Sequence, residues 1–403
     1  MPAIRGRRVV RRDAGRPCPV CGSMSAAMLA TQAFEALANS LMDGYDIVAC
    51  QTCGFVYATG LPSADQFAGY YREMSKYEAE SESYVASPED QMRCDGIAEM
   101  VSEHTRSREG PVLDVGCATG TLLAAFKRGG YRDVEGIDPS MACAATAWRA
   151  YAITVHQGTA ADIGSLPRRY GLVCFSAVLE HLLDPLGALR DAWLITANEG
   201  LAFVEVPDAE SFSSGATAPF QEFSVEHVNY FSVVSLTNLM GLAGFEPVEL
   251  RRIRIPWLSG AQAPAIHAVF RKVDAPIQWT RDQASEMAVR EYVDRSRAIE
   301  VRVRDDIRRL ADEGRPVLVW GVGTHTRHLL RTGAFDRLVV AAWIDSDPKY
   351  EGAVLRGVPI LSPSALAGRS ESILVSSGTV HHEIKRQIRD VLRLPNDIVL
   401  LYD

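Results

Sequence analysis

The chain contains 403 residues, and at roughly 150 residues per domain this length predicts two to three domains. Hydrophobic residues make up 47% of the sequence and charged residues 23%, which excludes a disordered or fibrous protein. The 50 acidic side chains outnumber the 42 basic ones and leave a formal net charge of -8, which argues against a dedicated nucleic-acid surface. We therefore expect a small-molecule substrate and no nucleic-acid partner.

The N-terminal sequence MPAIRGRRVVRRDAGRP carries arginines without an apolar segment behind them, so it does not predict a secretory signal. We interpret residues 1–16 as a flexible basic tail. The sequence has no run of about 18 apolar residues that would predict a membrane span. We therefore expect a cytoplasmic protein without a membrane partner.

Two cysteine pairs of identical C-x-x-C-G spacing follow the tail, Cys18 with Cys21 and Cys50 with Cys53. Two intervening residues let a tight turn aim both thiolates at one ion, and four thiolates complete a tetrahedral shell without room for water. The spacing therefore predicts a structural zinc ion in a small domain over residues 17–60. Four unrelated thiols, or a redox pair at one motif, remain as alternatives.

A β-α-β unit opens the middle of the chain. Residues 111–120 read PVLDVGCATG, an apolar β-type segment that ends in an acid and a glycine-containing loop. A helical stretch at 122–128 follows, then a second β-type segment at 134–138 that also ends in an acid, before Pro139 begins another helix. This order predicts a doubly wound α/β sheet.

Two kinds of nucleotide ligand compete for this loop. A dinucleotide fingerprint requires G-x-G-x-x-G, whereas Gly116 and Gly120 are the loop's glycines here and Asp114 precedes them. A carboxylate repels a pyrophosphate but attracts an ammonium group. S-adenosylmethionine carries such a group, and its ribose hydroxyls would lie on Asp138.

The region resembles class I S-adenosylmethionine-dependent methyltransferases, whose loop reads D/E-x-G-x-G-x-G, with Ala118 in place of the middle glycine. Residues 158–163 are similar to the family's adenine-contacting segment, 170–181 to its fourth strand and V-L-E-H stretch, and 201–207 to its fifth strand. The resemblance implies a methyltransferase domain over 61–275. It also implies cofactor contacts from Asp114, Gly116, Cys117, Ala118, Gly120, Asp138, Pro139, Asp162 and Ser176.

Methyl transfer to a hydroxyl or a carbon acid requires a base as well as orientation of the acceptor. His181 follows the fourth predicted strand, at the edge of the sheet where open α/β folds bind ligands. His227 lies beside Glu226, whose carboxylate would raise the basicity of the imidazole if the two side chains meet. Either histidine is also compatible with a packing role.

The cysteine pairs, the central domain, the EHVNYFS segment at 226–232 and a C-terminal α/β region together resemble the bacterial sugar C-methyltransferase family. That family acts on nucleotide-linked deoxyketosugars in antibiotic and surface-glycan pathways. The resemblance implies that His227 is the base next to the sugar ketone, with Glu226 as its neighbour. It places His181 and a tyrosine in the acceptor site, with Tyr77 as the best match and Tyr71 as the alternative.

One position departs from the family, because Ser224 stands where the family usually has a tyrosine. A lost phenol indicates that an O-methyltransferase of a sugar or another natural product remains a competing hypothesis. A zinc-ribbon binding protein with a vestigial cofactor site and an NAD-dependent oxidoreductase are the rival functions from other classes.

Residues 282–313 are highly charged with apolar residues at helical spacing, which predicts a long amphipathic helix within a helical linker over 276–313. A strand, a glycine turn at 321–323 and a helix follow, and Asp345 ends the next strand. The spacing is Rossmann-like, but Thr326 replaces the third glycine. This C-terminal domain, 314–403, either holds the nucleotide part of the substrate, serves as a structural lobe, or binds a nicotinamide cofactor.

We therefore predict an α/β protein, with a class I methyltransferase sheet between a small zinc-binding domain and a C-terminal Rossmann-like domain. The expected cofactor is S-adenosylmethionine, the expected metal a structural Zn²⁺, and the expected acceptor a sugar nucleotide bound by a monomer or homodimer. Because an anionic substrate gains nothing from a net charge of -8, the amides of the 321–326 turn and Arg327 are its predicted contacts.

Overall fold

The computed structural model describes residues 15–37, 40–73, 86–215, 218–256, 262–274, 278–378 and 380–402. Between residues 26 and 104 the elements are β1 (Ala26–Ala33), β2 (Gly44–Cys50), β3 (Val56–Thr59), α1 (Ala64–Glu73) and α2 (Pro88–His104). Between residues 112 and 272 they are β4 (Val112–Val115), α3 (Thr121–Arg128), β5 (Val134–Asp138), α4 (Met141–Tyr151), β6 (Thr154–Gln157), β7 (Tyr170–Ser176), α5 (Pro185–Ile195), β8 (Thr196–Pro207), α6 (Phe212–Gly215), β9 (Asn229–Tyr230), α7 (Val233–Leu242), β10 (Phe245–Pro256) and β11 (Gln262–Lys272). Between residues 285 and 400 they are α8 (Ser285–Asp312), β12 (Val317–Trp320), α9 (Thr324–Arg331), β13 (Val340–Ile344), β14 (Val354–Leu355), β15 (Val358–Leu361), β16 (Ser372–Val375), α10 (His381–Arg386) and β17 (Ile398–Leu400).

The central sheet has the order β10-β11-β8-β7-β4-β5-β6. Strands β4 to β8 are parallel, and β11 runs antiparallel to both β8 and β10. The chain runs outward from β4 through β5 to β6, then returns to the other side of β4 for β7 and β8. The carboxyl ends of β4 and β7 therefore flank the crevice where open α/β sheets bind ligands.

The N-terminal sheet has the order β1-β2-β3-β9, and its last strand comes from the middle of the chain. Its core is also shared, because Cys53 and Phe55 belong to the same buried cluster as Val173 of the central sheet. The predicted domain 17–60 is thus not self-contained. A lobe this small gains its buried area by packing on the larger sheet.

The predicted flexible tail, residues 1–16, includes one residue, Arg16, that is part of the folded structure. The Arg16 side chain donates hydrogen bonds to main-chain oxygens of Leu182, Leu183 and Val228. Arg16 therefore belongs to the fold. Residues 1–14 lie outside the described residues.

The predicted amphipathic helix is α8, and its apolar stripe is buried on two different cores. Tyr292 and Val293 pack in the cluster of the N-terminal sheet, whereas Val303 and Ile307 pack in the cluster of the C-terminal sheet. The helix predicted as a linker therefore joins the outer lobes by direct packing.

The C-terminal sheet has the order β14-β15-β13-β12-β16-β17, with β14 antiparallel to β15 and the remaining pairs parallel. It is a second doubly wound sheet. The strands are added outward from β12 on one side, through β13 and β15, and then on the other side, through β16 and β17, so the strand order reverses between β12 and β16. The prediction of an α/β protein with a Rossmann-like C-terminal part is confirmed. Within the described residues, no helix is both long and apolar enough to cross a membrane.

Candidate active site

The four predicted metal ligands converge. The Sγ atoms of Cys18, Cys21, Cys50 and Cys53 all lie within 4.8 Å of one another, and the Cys18–Cys53 and Cys21–Cys50 sulfur pairs are 3.5 Å apart. Zn–S bonds of about 2.3 Å in a tetrahedral shell place sulfur atoms about 3.8 Å apart. The four thiols therefore fit one zinc ion, and a full set of sulfur ligands makes the site structural.

A glycine follows each C-x-x-C pair, Gly22 and Gly54, and both have a positive φ. Gly54 has a φ of 85°, and its amide donates to the carbonyl oxygen of Cys50 at 2.9 Å. A Cβ at Gly54 would lie 1.9 Å from the carbonyl oxygen of Asp282. This turn therefore requires glycine, both for its backbone angle and for the close approach of the chain that leads into α8.

The predicted cofactor crevice lies at the carboxyl ends of β4 and β5. Asp114 is 2% exposed, and among the described residues its Oδ1 atom has no hydrogen-bond partner. Burial raises the pKa of Asp114 to about 8. A buried carboxyl without a partner is costly on its own, so it fits a ligand that brings a cation or a donor.

Asp138 holds the glycine loop in place. Its Oδ2 atom accepts from the Ala118 amide and its Oδ1 atom from the Ser140 amide, both at 2.9 Å. Each carboxylate oxygen keeps a second acceptor position for a ribose hydroxyl. Burial raises the pKa of Asp138, while the two amides oppose that shift.

The loop residues divide into backbone and packing roles. Gly116 has a φ of 69°, and a Cβ there would lie 2.8 Å from a methyl of Val178, so the loop needs glycine at this position. Ala118 adopts a φ of 45°, the left-handed conformation that explains why the family prefers glycine at this position. The Cys117 side chain is buried, which leaves its main chain to face a cofactor.

The other predicted cofactor residues lie on the same edge of the sheet. Gly120 caps α3, Pro139 follows β5, and Asp162 accepts hydrogen bonds from Thr159 just after β6. Ser176 ends β7 and accepts a 3.1 Å hydrogen bond from Arg93. The loop geometry and the unsatisfied Asp114 oxygen fit S-adenosylmethionine, whose ammonium Asp114 would hold and whose ribose Asp138 would hold.

Sequence reasoning missed a buried ion network behind this crevice. Arg93 on α2 donates to both carboxylate oxygens of Glu205 at 2.7 and 2.8 Å, and His267 lies 2.7 Å from Oε2 of Glu205. Although burial opposes ionisation, the His267 hydrogen bond and the Arg93 charge lower the pKa of Glu205. These residues lie on elements far apart in the sequence, so local patterns carry no signal for the network.

The two predicted acceptor-site histidines lie together. His181 ends a short 3-10 turn after β7 and His227 precedes β9, and their ring centroids are 4.9 Å apart at 78°. One ligand atom each from Glu180, His181 and His227 lie within 4.8 Å of one another, a donor set that could also receive a divalent cation. Val178 directly precedes the His181 turn, and one of its methyls would lie 2.8 Å from a Cβ at Gly116, so the turn lies next to the glycine loop.

The tyrosines of α1 complete this cluster. The hydroxyl of Tyr71 lies 3.0 Å from Nδ1 of His181, and the hydroxyl of Tyr70 donates to Oε1 of Glu226 at 2.8 Å. Burial, followed by the Glu226 charge, raises the pKa of Tyr71 well above its usual value, so its phenol stays protonated. The structure therefore brings in the alternative, Tyr71, whereas Tyr77 lies outside the described residues.

Nδ1 of His181 has two partners, the Tyr71 hydroxyl at 3.0 Å and the Glu226 carbonyl oxygen at 3.2 Å. Because a carbonyl oxygen only accepts, this pair of contacts favours a proton on Nδ1, while Nε2 lies 3.9 Å from Oε1 of Glu180. Glu180 is 1% exposed, and its carboxylate stabilises a protonated His181. This arrangement can hold a proton beside His227.

Comparison with known proteins decides the class of the central part. Residues 89–250 match the family model described as a methyltransferase domain. This segment is a methyltransferase domain. The predictions of the fold and of a methyl-transferring enzyme are thereby confirmed, while the acceptor stays a prediction. None of the curated proteins matches the chain.

Solved structures of low identity also resemble the methyltransferase. The CcbJ methyltransferase from Streptomyces caelestis is 17% identical with a TM-score of 0.38, over 47% of this chain and 97% of that chain. The Burkholderia thailandensis 1,6-didemethyltoxoflavin-N1-methyltransferase, with bound 1,6-didemethyltoxoflavin and S-adenosylhomocysteine, is 17% identical with a TM-score of 0.40, over 57% and 96%.

The serine that departs from the sugar C-methyltransferase pattern supports the histidine loop of the methyltransferase. Oγ of Ser224 accepts from the amides of Glu226 at 3.2 Å and His227 at 3.0 Å. The hydroxyl of Tyr45 donates to the Ser224 carbonyl oxygen at 2.7 Å. The serine thus fixes the turn, and Tyr70 supplies the phenol at Glu226.

The C-terminal domain contributes cations next to the acceptor cluster. Arg327 is 4% exposed and its Nε donates to the Glu35 carbonyl oxygen at 2.8 Å, while its Nη2 has no partner among the described residues. Burial lowers the pKa of Arg327. Lys349 pairs with Asp347 at 2.8 Å, and the charge of Glu226 acts on it more weakly.

A cleft of about 320 Å³ lies at the carboxyl ends of the C-terminal strands, lined by Gly321, Thr324, His325, Asp345 and Ser376. Asp345 repeats the arrangement of Asp138, with Oδ2 accepting from the Val322 amide and Oδ1 from the Asp347 amide, both at 2.9 Å. Burial lowers the pKa of His325 to about 3, so this histidine is neutral.

Proposed function

We propose that the methyltransferase transfers a methyl group to a nucleotide-activated ketodeoxysugar of antibiotic or glycan biosynthesis, at the carbon next to the ketone. The observation that carries the proposal is the 4.9 Å approach of the His181 and His227 rings. The His181 turn lies next to the glycine loop, since a Cβ at Gly116 would be 2.8 Å from a methyl of Val178. The choice of a ketodeoxysugar nucleotide as the acceptor rests on the sequence resemblance to sugar C-methyltransferases.

In this proposal His227 is the general base. Its imidazole takes the proton from the carbon next to the ketone, and the electron pair of that C–H bond forms an enolate. Bound S-adenosylmethionine supplies a methyl on a sulfonium, whose sulfur leaves as a neutral thioether without an acid. The enolate carbon then forms the new C–C bond.

The surrounding side chains have separate roles. Tyr71 keeps its proton, which lets its hydroxyl donate to the oxygen of the developing enolate. Glu180 and His181 stabilise positive charge as His227 becomes protonated. Tyr70 holds the Glu226 carboxylate at 2.8 Å and orients the loop of the base.

The nucleotide part of the acceptor has complementary groups in the C-terminal domain. Nη2 of Arg327 is a buried donor without a partner among the described residues, which favours an anionic ligand. Lys349 adds a second positive charge near Glu226. We assign the diphosphate to these cations and the nucleoside to the cleft at the end of β12.

Solvent exchange in deuterium oxide tests the C-methylation. Protein with S-adenosylmethionine and a ketodeoxysugar nucleotide should incorporate deuterium at the carbon next to the ketone, and His227→Asn should abolish this exchange. Methylation at oxygen without any exchange contradicts the proposal and supports an O-methyltransferase. Thermal protection by NAD but not by S-adenosylmethionine would instead favour the oxidoreductase hypothesis.

A further inference from the structure

We propose that Arg16 is a positioning residue of the acceptor site, which holds the turn that bears His181 against the loop that bears His227. The inference rests on the proposed function, because that function assigns the two histidines to the acceptor site. Arg16 itself touches neither imidazole, so its role is indirect.

The guanidinium bridges the residues that directly follow the two histidines. Its Nη2 donates to the carbonyl oxygens of Leu182 at 3.1 Å and Leu183 at 2.6 Å, and its Nη1 donates to the carbonyl oxygen of Val228 at 3.2 Å. Nη2 also donates to Oδ1 of Asn229 at 3.0 Å. A planar fork of donors can span both loops at once.

Asn229 supplies the second half of this clamp. Its Nδ2 donates to the carbonyl oxygens of Leu179 at 2.7 Å and Leu182 at 2.8 Å, on the turn that contains His181. The Val228 amide donates to the Glu180 carbonyl oxygen at 2.8 Å. Arg16 thus binds the side-chain oxygen of Asn229, while the side-chain nitrogen of Asn229 binds the turn that contains His181. The Arg16 and Asn229 side chains therefore connect the same two loops.

Arg16 is itself fixed to the N-terminal lobe. Its backbone amide donates to Oγ1 of Thr59 at 3.0 Å, and its guanidinium carbon lies 6.0 Å from the centre of the Tyr57 ring. Both partners are on β3, the strand that pairs with β9. The N-terminal lobe therefore acts on the acceptor site through a side chain that reaches across to both loops.

Full-length Arg16→Met and Arg16→Lys test the proposal. Arg281→Met is the matched control, because Arg281 also donates to carbonyl oxygens of the N-terminal lobe, those of Gln51 and Thr52. Metal content, circular dichroism and S-adenosylmethionine affinity establish that each variant is folded. The readouts are kcat with the acceptor and the imidazole NMR resonances of His181 and His227, assigned with His→Asn variants.

For Arg16→Met we expect displaced resonances of both histidines and a kcat reduced at least about tenfold, with S-adenosylmethionine affinity within about twofold, since small misplacements of reacting groups have large effects on rate. Arg16→Lys keeps the charge and the aliphatic stem but not the fork, so we expect both resonances to shift and kcat to fall at least about threefold. Arg281→Met should change neither readout. If Arg16→Met does not fold, Arg16→Lys alone decides the question.

Unchanged histidine resonances and unchanged kcat in folded Arg16→Lys overturn the proposal, as do equal changes in Arg281→Met. The resonances need no turnover. Failure to methylate any sugar nucleotide would therefore refute the proposed function while the role of Arg16 is still measured.

Discussion

The hydroxyl of Tyr71 lies 3.0 Å from Nδ1 of His181, although the two residues are 110 positions apart in the chain. This contact orients the imidazole so that Nε2 faces Glu180. We predict that Tyr71→Phe lowers kcat about tenfold, because the phenol no longer orients His181 or donates to the enolate oxygen. Steady-state kinetics with the sugar nucleotide should show little change in the KM for S-adenosylmethionine. An unchanged kcat contradicts the role of Tyr71.

The second prediction concerns His227. His227→Asn should bind S-adenosylmethionine normally but lower kcat by about 10² to 10⁴, the usual effect of losing a general base. Calorimetry measures the first quantity and product analysis the second. The matched control is His382→Asn, at an exposed position on α10, which should retain full activity. Normal turnover in His227→Asn would remove this residue from the mechanism.

The third prediction concerns the proton on Asp114. Burial raises its pKa to about 8, so below that pH the free protein carries a neutral carboxyl there. An incoming ammonium favours the ionised form, so S-adenosylmethionine should release a proton on binding at pH 7 and bind more tightly as the pH rises toward 8. Calorimetry in buffers of different ionisation enthalpy counts the proton. Asp114→Asn should show weaker binding and no such release.

The raised pKa of Asp114 also makes the free energy of unfolding depend on pH. The folded state keeps the Asp114 proton up to about pH 8, whereas the unfolded chain loses it near the ordinary value of 3.8. The contribution of this group to the free energy of unfolding therefore falls as the pH rises between these values and is constant above them. Urea titrations without cofactor should show this fall relative to Asp114→Asn, and parallel curves would contradict it.

The fourth prediction concerns the metal. The purified chain should contain about one zinc ion, and Cys53→Ser should contain far less, because four thiolates complete the shell. Metal loss should lower the free energy of unfolding, since Cys53 also packs in the core shared with the central sheet. Metal analysis and urea denaturation measure these effects. Cys174→Ser, a buried cysteine outside the cluster, is the control that should keep its zinc.

The fifth prediction separates nucleotide binding from chemistry. Arg327→Met should raise the KM for the sugar nucleotide at least about tenfold, as expected for loss of a charge-assisted contact, with a smaller change in kcat. Arg356→Met is the control, because Arg356 also contacts Glu35 but is already paired with Asp336. Equal KM values in the two variants would contradict the proposal that Arg327 binds the diphosphate.

Local sequence patterns were sufficient for the cysteine cluster, the glycine loop and the second sheet, because spacing within a short segment determines each of them. The meeting of His181 and His227 required the family resemblance, since no local pattern brings residues 181 and 227 together. Arg16 is predicted from the sequence to lie in a solvated tail, because its hydrogen-bond acceptors are far away in the sequence and no local pattern indicates them. Tyr71 lies on α1 and contacts His181, whereas Tyr77 lies outside the described residues and stays a prediction.

The pairing of β3 with β9 affects the order in which a ribosome-bound chain can assemble. The N-terminal strands leave the exit tunnel early, but their sheet remains one strand short until residues 229–230 have been synthesised. During that interval the four thiols lack the finished lobe around them and are exposed to oxidants. A nascent chain would therefore depend on a reducing environment well before any of its catalytic groups are in place.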